Sequence, residues 1–443
     1  MNINLKILLF FAFVLTSCLP QVVPNVPVVQ HQETPIRTPE PTNTIKPSPS
    51  VTTTVTVTAS PSSRLQKNCV SISSAFDGKA IDGTAVFLDH LGQSIVLMGE
   101  NNLQIPGKFE GNPGNSEQSV SPDGDLLIYR QSKYKTAQSK IVTVTSSGQV
   151  VHDFPEQDNW VSGVAWLSDE YIRYPIETNS EQIKLYALNI QTGQLHELRT
   201  DLPNIADTDN GYPDWGVDSW LIYFGIKKGV NIVYDPSLTR VAYPKTLASS
   251  PFYPVSLYDV QTGKELAILD IAAGNDAKWS PDGKYFSIIG SEQSTLKKDI
   301  YVVSRDGGQF TPLTNLAKLY PKLILRSYSW SPDSQKIAFW IDADGADNTE
   351  ANDNSLILLD IATKQMVDLC IKGYGNGQYL SYEVNSSVSF MMHGQPVWSP
   401  DGKKLLVTQY DADTQKIIDL LIDLENKTAY QVAVDIEPIG WMK

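Results

Sequence analysis

The chain has 443 residues, 41% of them hydrophobic and 9% aromatic, enough apolar material for a sizeable core and too much for a chain disordered throughout. Its formal net charge of −14 at pH 7 surrounds the molecule with a field that repels phosphate backbones and anionic lipid surfaces, so no nucleic-acid partner is expected.

The first residues have their own logic. MNINLK carries a positive charge, ILLFFAFVL is an apolar run, and TSC follows at once, a pattern too short to span a bilayer and suited to an export signal. Leu15-Thr16-Ser17-Cys18 resembles a bacterial lipobox, in which small residues precede a cysteine that is diacylated and becomes the first residue of the mature chain. On that resemblance Cys18 is the lipid attachment site, and the membrane is a partner through the anchor; an ordinary cleaved signal with an incidental cysteine is the alternative. Each buried acyl methylene adds about 0.8 kcal/mol of membrane affinity, so two or three chains hold a protein without a spanning helix. Leu19 rather than Asp follows the cysteine, which favours the outer membrane in a cell that has two. Export also places Cys69 and Cys370 where a disulfide persists; a bridge between them and two separately buried thiols both fit the sequence, which gives no distance.

From Leu19 to about Arg64 the composition is dominated by Pro, Thr, Val and Ser, as in TPIRTPEPTNTIKPSPSVTTTVTVTASPSS. Such a segment buries too little surface to fold, and its prolines favour extended geometry. At about 3.1 Å per residue its full reach is roughly 140 Å, so it reads as a tether that gives a domain clearance from a surface.

From about residue 70 onward short alternating runs such as LLIYR, EYIRYPI, YFSIIG, KIAFW and KLLVTQY replace any sustained helical spacing, and they are rich in aromatic and β-branched residues. The domain is therefore expected to be all-β. One phrase recurs: VSPDGDLLIY at Val120, WLSDEYIRY at Trp166, WSPDGKYFSI at Trp279, WSPDSQKIAF at Trp330 and WSPDGKKLLV at Trp398. A worn copy is headed by Trp215 or by Tyr234, and a last one, IGWMK at Trp441, is cut short. A second marker, a strand, a tight turn and another strand, follows each of the first six, as in LYALNIQTGQLHEL and SLYDVQTGKELAIL. Each unit is thus two hairpins, and unit starts fall 43 to 68 residues apart, the mark of a β-propeller built of four-stranded blades. Joining the strand at 436–441 to those within 84–105 completes a blade and closes the ring. The expected fold is a seven-bladed β-propeller, with six or eight blades as the alternatives because residues 200–256 are irregular. Residues 1–17 read as signal peptide, 18–69 as lipidated cysteine and tether, and 70–443 as the propeller, closed by 436–443.

WSPDGK, an apolar strand, a variable loop and an LYxxDxxTG hairpin together resemble the TolB-type, WD-like propeller repeat of bacterial envelope proteins, over roughly residues 80–443. The resemblance implies a fold and an envelope setting, and no single function, because such repeats serve translocation scaffolds, peptidases and sugar-degrading lyases alike. The anchor and tether stand where TolB carries a small α/β domain, so TolB's partners do not transfer.

In the repeated phrase Pro281 fixes φ, Asp282 is placed to bond backbone N–H groups two residues on, and Gly283 supplies a positive φ. An acid/base role for Asp282 and Lys284 conflicts with copies at Asp123, Asp333 and Asp401 around a ring, so the phrase reads as a hinge. No GxSxG, P-loop, CxxC or HExxH occurs; His196-Glu197 begins the last of these and continues Leu198-Arg199-Thr200. His90, His152, His196 and His393 are scattered and read as strand or surface residues. The acidic run with Asp342, Asp344, Asp347, Glu350 and Asp353 has carboxylates enough for calcium but misses the EF-hand spacing, so no cofactor is expected and calcium is the alternative. The phrase turns and the TG turns fall on one face of the ring and the irregular connections on the other. Recognition is therefore expected on the irregular face, with Tyr374, Tyr379 and Tyr382 of the long 371–394 segment as stacking surfaces or anchors, or else as packing for that insertion. The functional expectation is a membrane-anchored, exported scaffold that binds a protein or polysaccharide partner, facing the periplasm or the cell exterior. A propeller-type carbohydrate-active lyase or hydrolase with residues at the axial funnel is the alternative.

Overall fold

The computed structural model describes residues 65–73, 76, 81–89, 94–99, 102–106, 108–109, 119–132, 139–155, 165–177, 183–206, 232–247, 253–291, 298–320, 324–342, 355–372, 395–411, 416–434 and 436–443. Seven antiparallel sheets make up a seven-bladed propeller. Blade 1 joins Ile436–Met442 to Thr84–Asp89, Ser94–Met98 and Leu103–Pro106. Blade 2 holds Lys108–Phe109, Leu127–Ser132, Ser139–Val144 and Val150–Pro155, and blade 3 holds Ala165–Trp166, Tyr171–Glu177, Ile183–Asn189 and Leu195–Leu198. Blade 4 consists of Val233–Tyr234, Arg240–Pro244, Val255–Asp259 and Lys264–Leu269; blade 5 of Ala272–Trp279, Tyr285–Ser291, Asp299–Ser304 and Thr311–Pro312. Blade 6 is Ile324–Trp330, Lys336–Asp342, Ser355–Asp360 and Met366–Lys372, and blade 7 is Val397–Trp398, Lys404–Asp411, Lys416–Asp423 and Thr428–Val434. The worn repeat is thereby settled: Tyr234 heads blade 4, and Trp215 lies outside the described residues. A four-residue turn, Leu316–Leu319, is the one helix among the described residues, and none there is long and apolar enough to cross a membrane.

The ring closes as the truncated repeat predicts. Ile436–Met442 pairs antiparallel with Thr84–Asp89 from Thr84↔Met442 to Asp89↔Ile436, so the first and last blade strands complete one sheet and remove two open edges. Seven apolar clusters hold the blades, one at each interface, because alternate residues of a strand point to the blade before and the blade after. Leu405 and Val407, for instance, pack toward Trp340 of blade 6, whereas Leu406 packs toward Phe87 of blade 1.

Residues 65–73, of which 65–69 read as tether and 70–73 as propeller in the sequence, form a strap along the outer strands of two blades. Gln66–Lys67 runs parallel to the outer strand of blade 6, and Ser71–Ser73 runs parallel to that of blade 7, so each of those sheets has a fifth strand. Pairing with the propeller thus starts at Gln66 rather than at residue 70. Between the two short strands Cys69 is joined to Cys370 in a disulfide, with Cα atoms 4.8 Å apart and a sequence separation of 301. Asp368 shapes the site by accepting the Cys370 N–H on its Oδ1 at 2.7 Å.

Candidate functional site at the propeller axis

The phrase read as a hinge does form one. Ser280 Oγ donates to Asp282 Oδ1 at 2.7 Å, the same oxygen accepts the Lys284 N–H at 3.0 Å, and Ser280 Oγ accepts the Tyr285 N–H at 3.0 Å. Gly283 sits at φ 66° and donates its N–H to the Ser280 carbonyl. Ser121 and Asp123, Ser331 and Asp333, and Ser399 and Asp401 repeat the arrangement. Burial alone would raise the Asp282 carboxyl, but hydrogen bonds from Lys284 and Ser280 outweigh it and hold it below the usual carboxylate range; Asp401 is held down likewise by Ser399 and Lys403. In blade 4 Asp235 takes the place of the serine, accepting the N–H groups of Thr239 and Arg240 on Oδ1 and Arg305 Nε of blade 5 on Oδ2.

The tryptophans then lock blade to blade. Trp279 Nε1 donates to the Val233 carbonyl of blade 4 at 3.2 Å, Trp330 to Ser287 Oγ of blade 5 at 2.9 Å, Trp398 to Ser329 Oγ of blade 6 at 3.0 Å, and Trp166 to the Ser119 carbonyl that precedes blade 2's phrase at 3.2 Å. Trp166, Trp330 and Trp398 are buried and Trp279 is half-buried, and the one donor of each indole reaches the preceding unit. The same repetition has a geometric result: a ring of first strands turns its ends toward a common axis.

There the structure places a cavity of about 330 Å³ to which all seven blades contribute. Trp166, Trp279, Trp330, Trp398 and Trp441 form its wall, and Pro122, Pro236, Pro281, Pro332 and Pro400 of the turns form its rim. Its volume is at the small end of the range for ligand pockets, which are concave, mostly apolar and fitted with a few polar groups. Here the charged groups are three cations, Arg173, Lys278 and the exposed Lys443, and one carboxylate, Asp123. Arg173 and Lys278 both line the cavity and are only 4% and 8% exposed. Lys278 Nζ donates to the Tyr328 carbonyl and stands 4.8 Å from the centre of the Tyr328 ring, while Tyr328 Oη and Ser287 Oγ are 2.8 Å apart.

The cavity opens among the repeated turns, on the face opposite to that from which the sequence reading expected recognition. Tyr374, Tyr379 and Tyr382 lie outside the described residues, as do Cys18, Asp344, Asp347, Glu350 and Asp353; Asp342 ends the second strand of blade 6. Among the described residues no group of three or more His, Cys, Asp or Glu is placed to hold a metal ion. His152 stacks on Phe154 and His196 meets the edge of Tyr171, both on outer strands, so neither reaches the axis. Sequence reasoning passed over Arg173 and Lys278. The signal was present as a charged residue inside two otherwise apolar strand patterns, EYIRYPI and DAKW.

No family model matches the chain. Solved TolB structures are among those similar to it. TolB from Acinetobacter baumannii matches with a TM-score of 0.37 and 14% identity over 68% of this chain and 62% of that one. The putative TolB from Agrobacterium tumefaciens has a TM-score of 0.38 and 16% identity, over 73% and 95% of the two chains. An oligogalacturonate lyase in complex with manganese gives a TM-score of 0.47 and 11% identity, over 84% and 86%. At these values the likeness is one of fold. In sequence the chain is 26% identical over 193 residues to the Bacillus subtilis (strain 168) protein named "Uncharacterized peptidase YuxL", a match that spans 39% of this chain and 28% of that protein.

Proposed function

We propose that the protein is an exported, envelope-associated binding module, anchored to a membrane through lipidated Cys18, whose axial cavity receives its ligand or partner. The observation that carries this reading is the convergence of all seven blades on one aromatic-walled cavity with a proline rim. A rigid ring of this kind presents preformed concave surface, so little ordering entropy opposes binding. The tether supplies reach, and the repeated turns, besides closing blades, supply the mouth of the site.

Two experiments bear on it. Pro332→Trp and Pro400→Trp each place a large side chain at the rim without touching the sheets. Crosslinking in intact envelopes, comparing wild type, the two plugged variants and a chain lacking 373–394, is expected to show partner capture lost on plugging and kept on loop deletion. Capture that survives plugging and disappears with the loop would move recognition to the irregular face, and release of sugars from polysaccharide by the purified protein would replace the binding module with an enzyme. Separately, Cys18→Ala is expected to move the protein from the membrane to the soluble fraction; undiminished membrane retention would remove the anchor from the reading.

A further inference from the structure

Arg173 and Lys278 border the axial cavity from two places in the repeat, and pairing registers make those places comparable from blade to blade. One is the residue before the tryptophan position on the first strand; the other is its partner on the second strand. Pairs at these places include Ala165↔Arg173, Lys278↔Ser287, Ser329↔Ala338 and Val397↔Leu406. At the second-strand place Val86, Ile128, Ala242, Ser287, Ala338 and Leu406 stand where blade 3 has Arg173. At the first-strand place Gly440, Ser119, Ala165, Val233, Ser329 and Val397 stand where blade 5 has Lys278. The architecture is satisfied by small or apolar side chains at these places, since other blades use them. Arg173 and Lys278 are therefore departures from the repeat that blade packing does not require. Both are cations in the wall of one cavity, and the one carboxylate among its lining residues, Asp123, belongs to a rim turn, where it accepts from Ser121 Oγ.

Each of these buried cations has contacts of its own within the protein, so what points to a ligand is that both border the same cavity. Arg offers a planar fork matched to a carboxylate or phosphate, and Lys offers a compact ammonium, here pinned at the wall by the Tyr328 carbonyl and ring. The tryptophan wall suits a flat apolar body, and about 330 Å³ admits a small molecule or a single chain end rather than a folded segment. We propose that the axial cavity is an anion-recognition site, in which Arg173 and Lys278 bind the carboxylate or phosphate of a ligand whose flat, apolar body lies against the tryptophans. The site opposes the net charge of −14 that the chain as a whole carries, and so selects anions locally on a molecule that repels them globally.

The inference rests on the axial cavity being the binding site, and its test separates the two. Full-length protein in detergent is titrated with benzoate, phenyl phosphate and neutral benzamide, with tryptophan emission and melting temperature as readouts, because five tryptophans line the cavity. Benzoate or phenyl phosphate is expected to bind at least tenfold more tightly than benzamide, and whichever of the two is stronger identifies the anion. That preference is expected to fall about tenfold in Arg173→Gln and in Lys278→Gln and to persist in part in Arg173→Lys. Should Arg173→Gln fail to fold, Lys278→Gln and the weakening of benzoate but not benzamide by added salt carry the same test. Benzamide binding as well as benzoate, a preference intact in both Gln variants, or no binding by any probe overturns the anion site. Probes that bind Pro332→Trp as well as wild type overturn the axial reading itself.

Discussion

At the scale of single residues, the same side chain type does opposite things to stability depending on what surrounds it. Asp282 satisfies two backbone or hydroxyl donors within its turn and pairs with Lys284 at 2.9 Å. Its carboxyl is held below the usual range, so the stability it contributes is present above its unfolded pKa of about 4 and is lost as pH falls through the lower folded value. Asp282→Ala is expected to cost about 1 to 2 kcal/mol at pH 7, and the difference from wild type should close in acid melts near pH 3. A gap that stays constant with pH would show that the turn is held by its backbone alone. Glu437 on the innermost strand of blade 1 is the reverse case: burial pushes its carboxyl up to about 7. A raised acid holds its proton more tightly when folded, so stability falls as pH rises from about 4.3 to 7 and then levels off. Glu437→Gln is expected to be more stable than wild type by about 1 to 3 kcal/mol at pH 8 and equal to it at pH 4.5. Equal melting at both pH values would place Glu437 in water.

At the scale of elements, blades were legible in the sequence and the strap was not, and the reason is range. A blade is two hairpins, and a hairpin announces itself through local chemistry, as Asp360 does by accepting the N–H and Oγ of Thr363 in the ATKQ turn. The strap pairs two residues with blade 6 and three with blade 7 across more than 300 residues of chain, and QK or SIS has no pattern that names a partner. Beside the two short ladders, its backbone bonds include Asn68 N–H to the Asp368 carbonyl, Val70 N–H to that of Leu369 and Ser71 N–H to that of Lys427. Ladders of two and three residues hold a segment weakly by themselves, and the Cys69–Cys370 bridge is expected to set its persistence. Closing a loop at a sequence separation of 301 corresponds to about 6 kcal/mol at most in the chain-entropy account. The Cys69→Ser/Cys370→Ser variant is expected to melt several degrees lower and to be cut by trypsin at Lys67 before any site in the sheets. Unchanged protection at Lys67 would mean that the edge pairing suffices without the bridge.

At the scale of the whole molecule, the sequence showed how many blades there are and how the ring closes, yet not where the ring gathers its functional groups. Tryptophans some fifty residues apart look alike in sequence whether they serve as hinges or as one wall, and only closure brings them to a common axis. Arg173 was hidden by register: blade 3's turn, LSDE, is one residue shorter than SPDGK, so alignment on the tryptophan does not set Arg173 beside Ser287, whereas the strand pairing does. Closure is accordingly the property on which fold and site both depend, and it is open to direct test. Removing residues 436–443 takes away Ile439 and Met442 from the interface of blades 1 and 2 and Trp441 from that of blades 7 and 1, and it bares the edge of Thr84–Asp89. Trp441→Phe keeps most of the buried area and deletes chiefly the 2.7 Å bond from Nε1 to the Asp82 carbonyl, at about 1 kcal/mol. The truncated chain is expected to lose its cooperative melt and to self-associate through the exposed edge, while Trp441→Phe remains monomeric and melts only slightly lower. If the truncated chain melted cooperatively as a monomer, the six remaining complete blades would hold the ring without the closing strand, and the axial cavity would owe nothing to it.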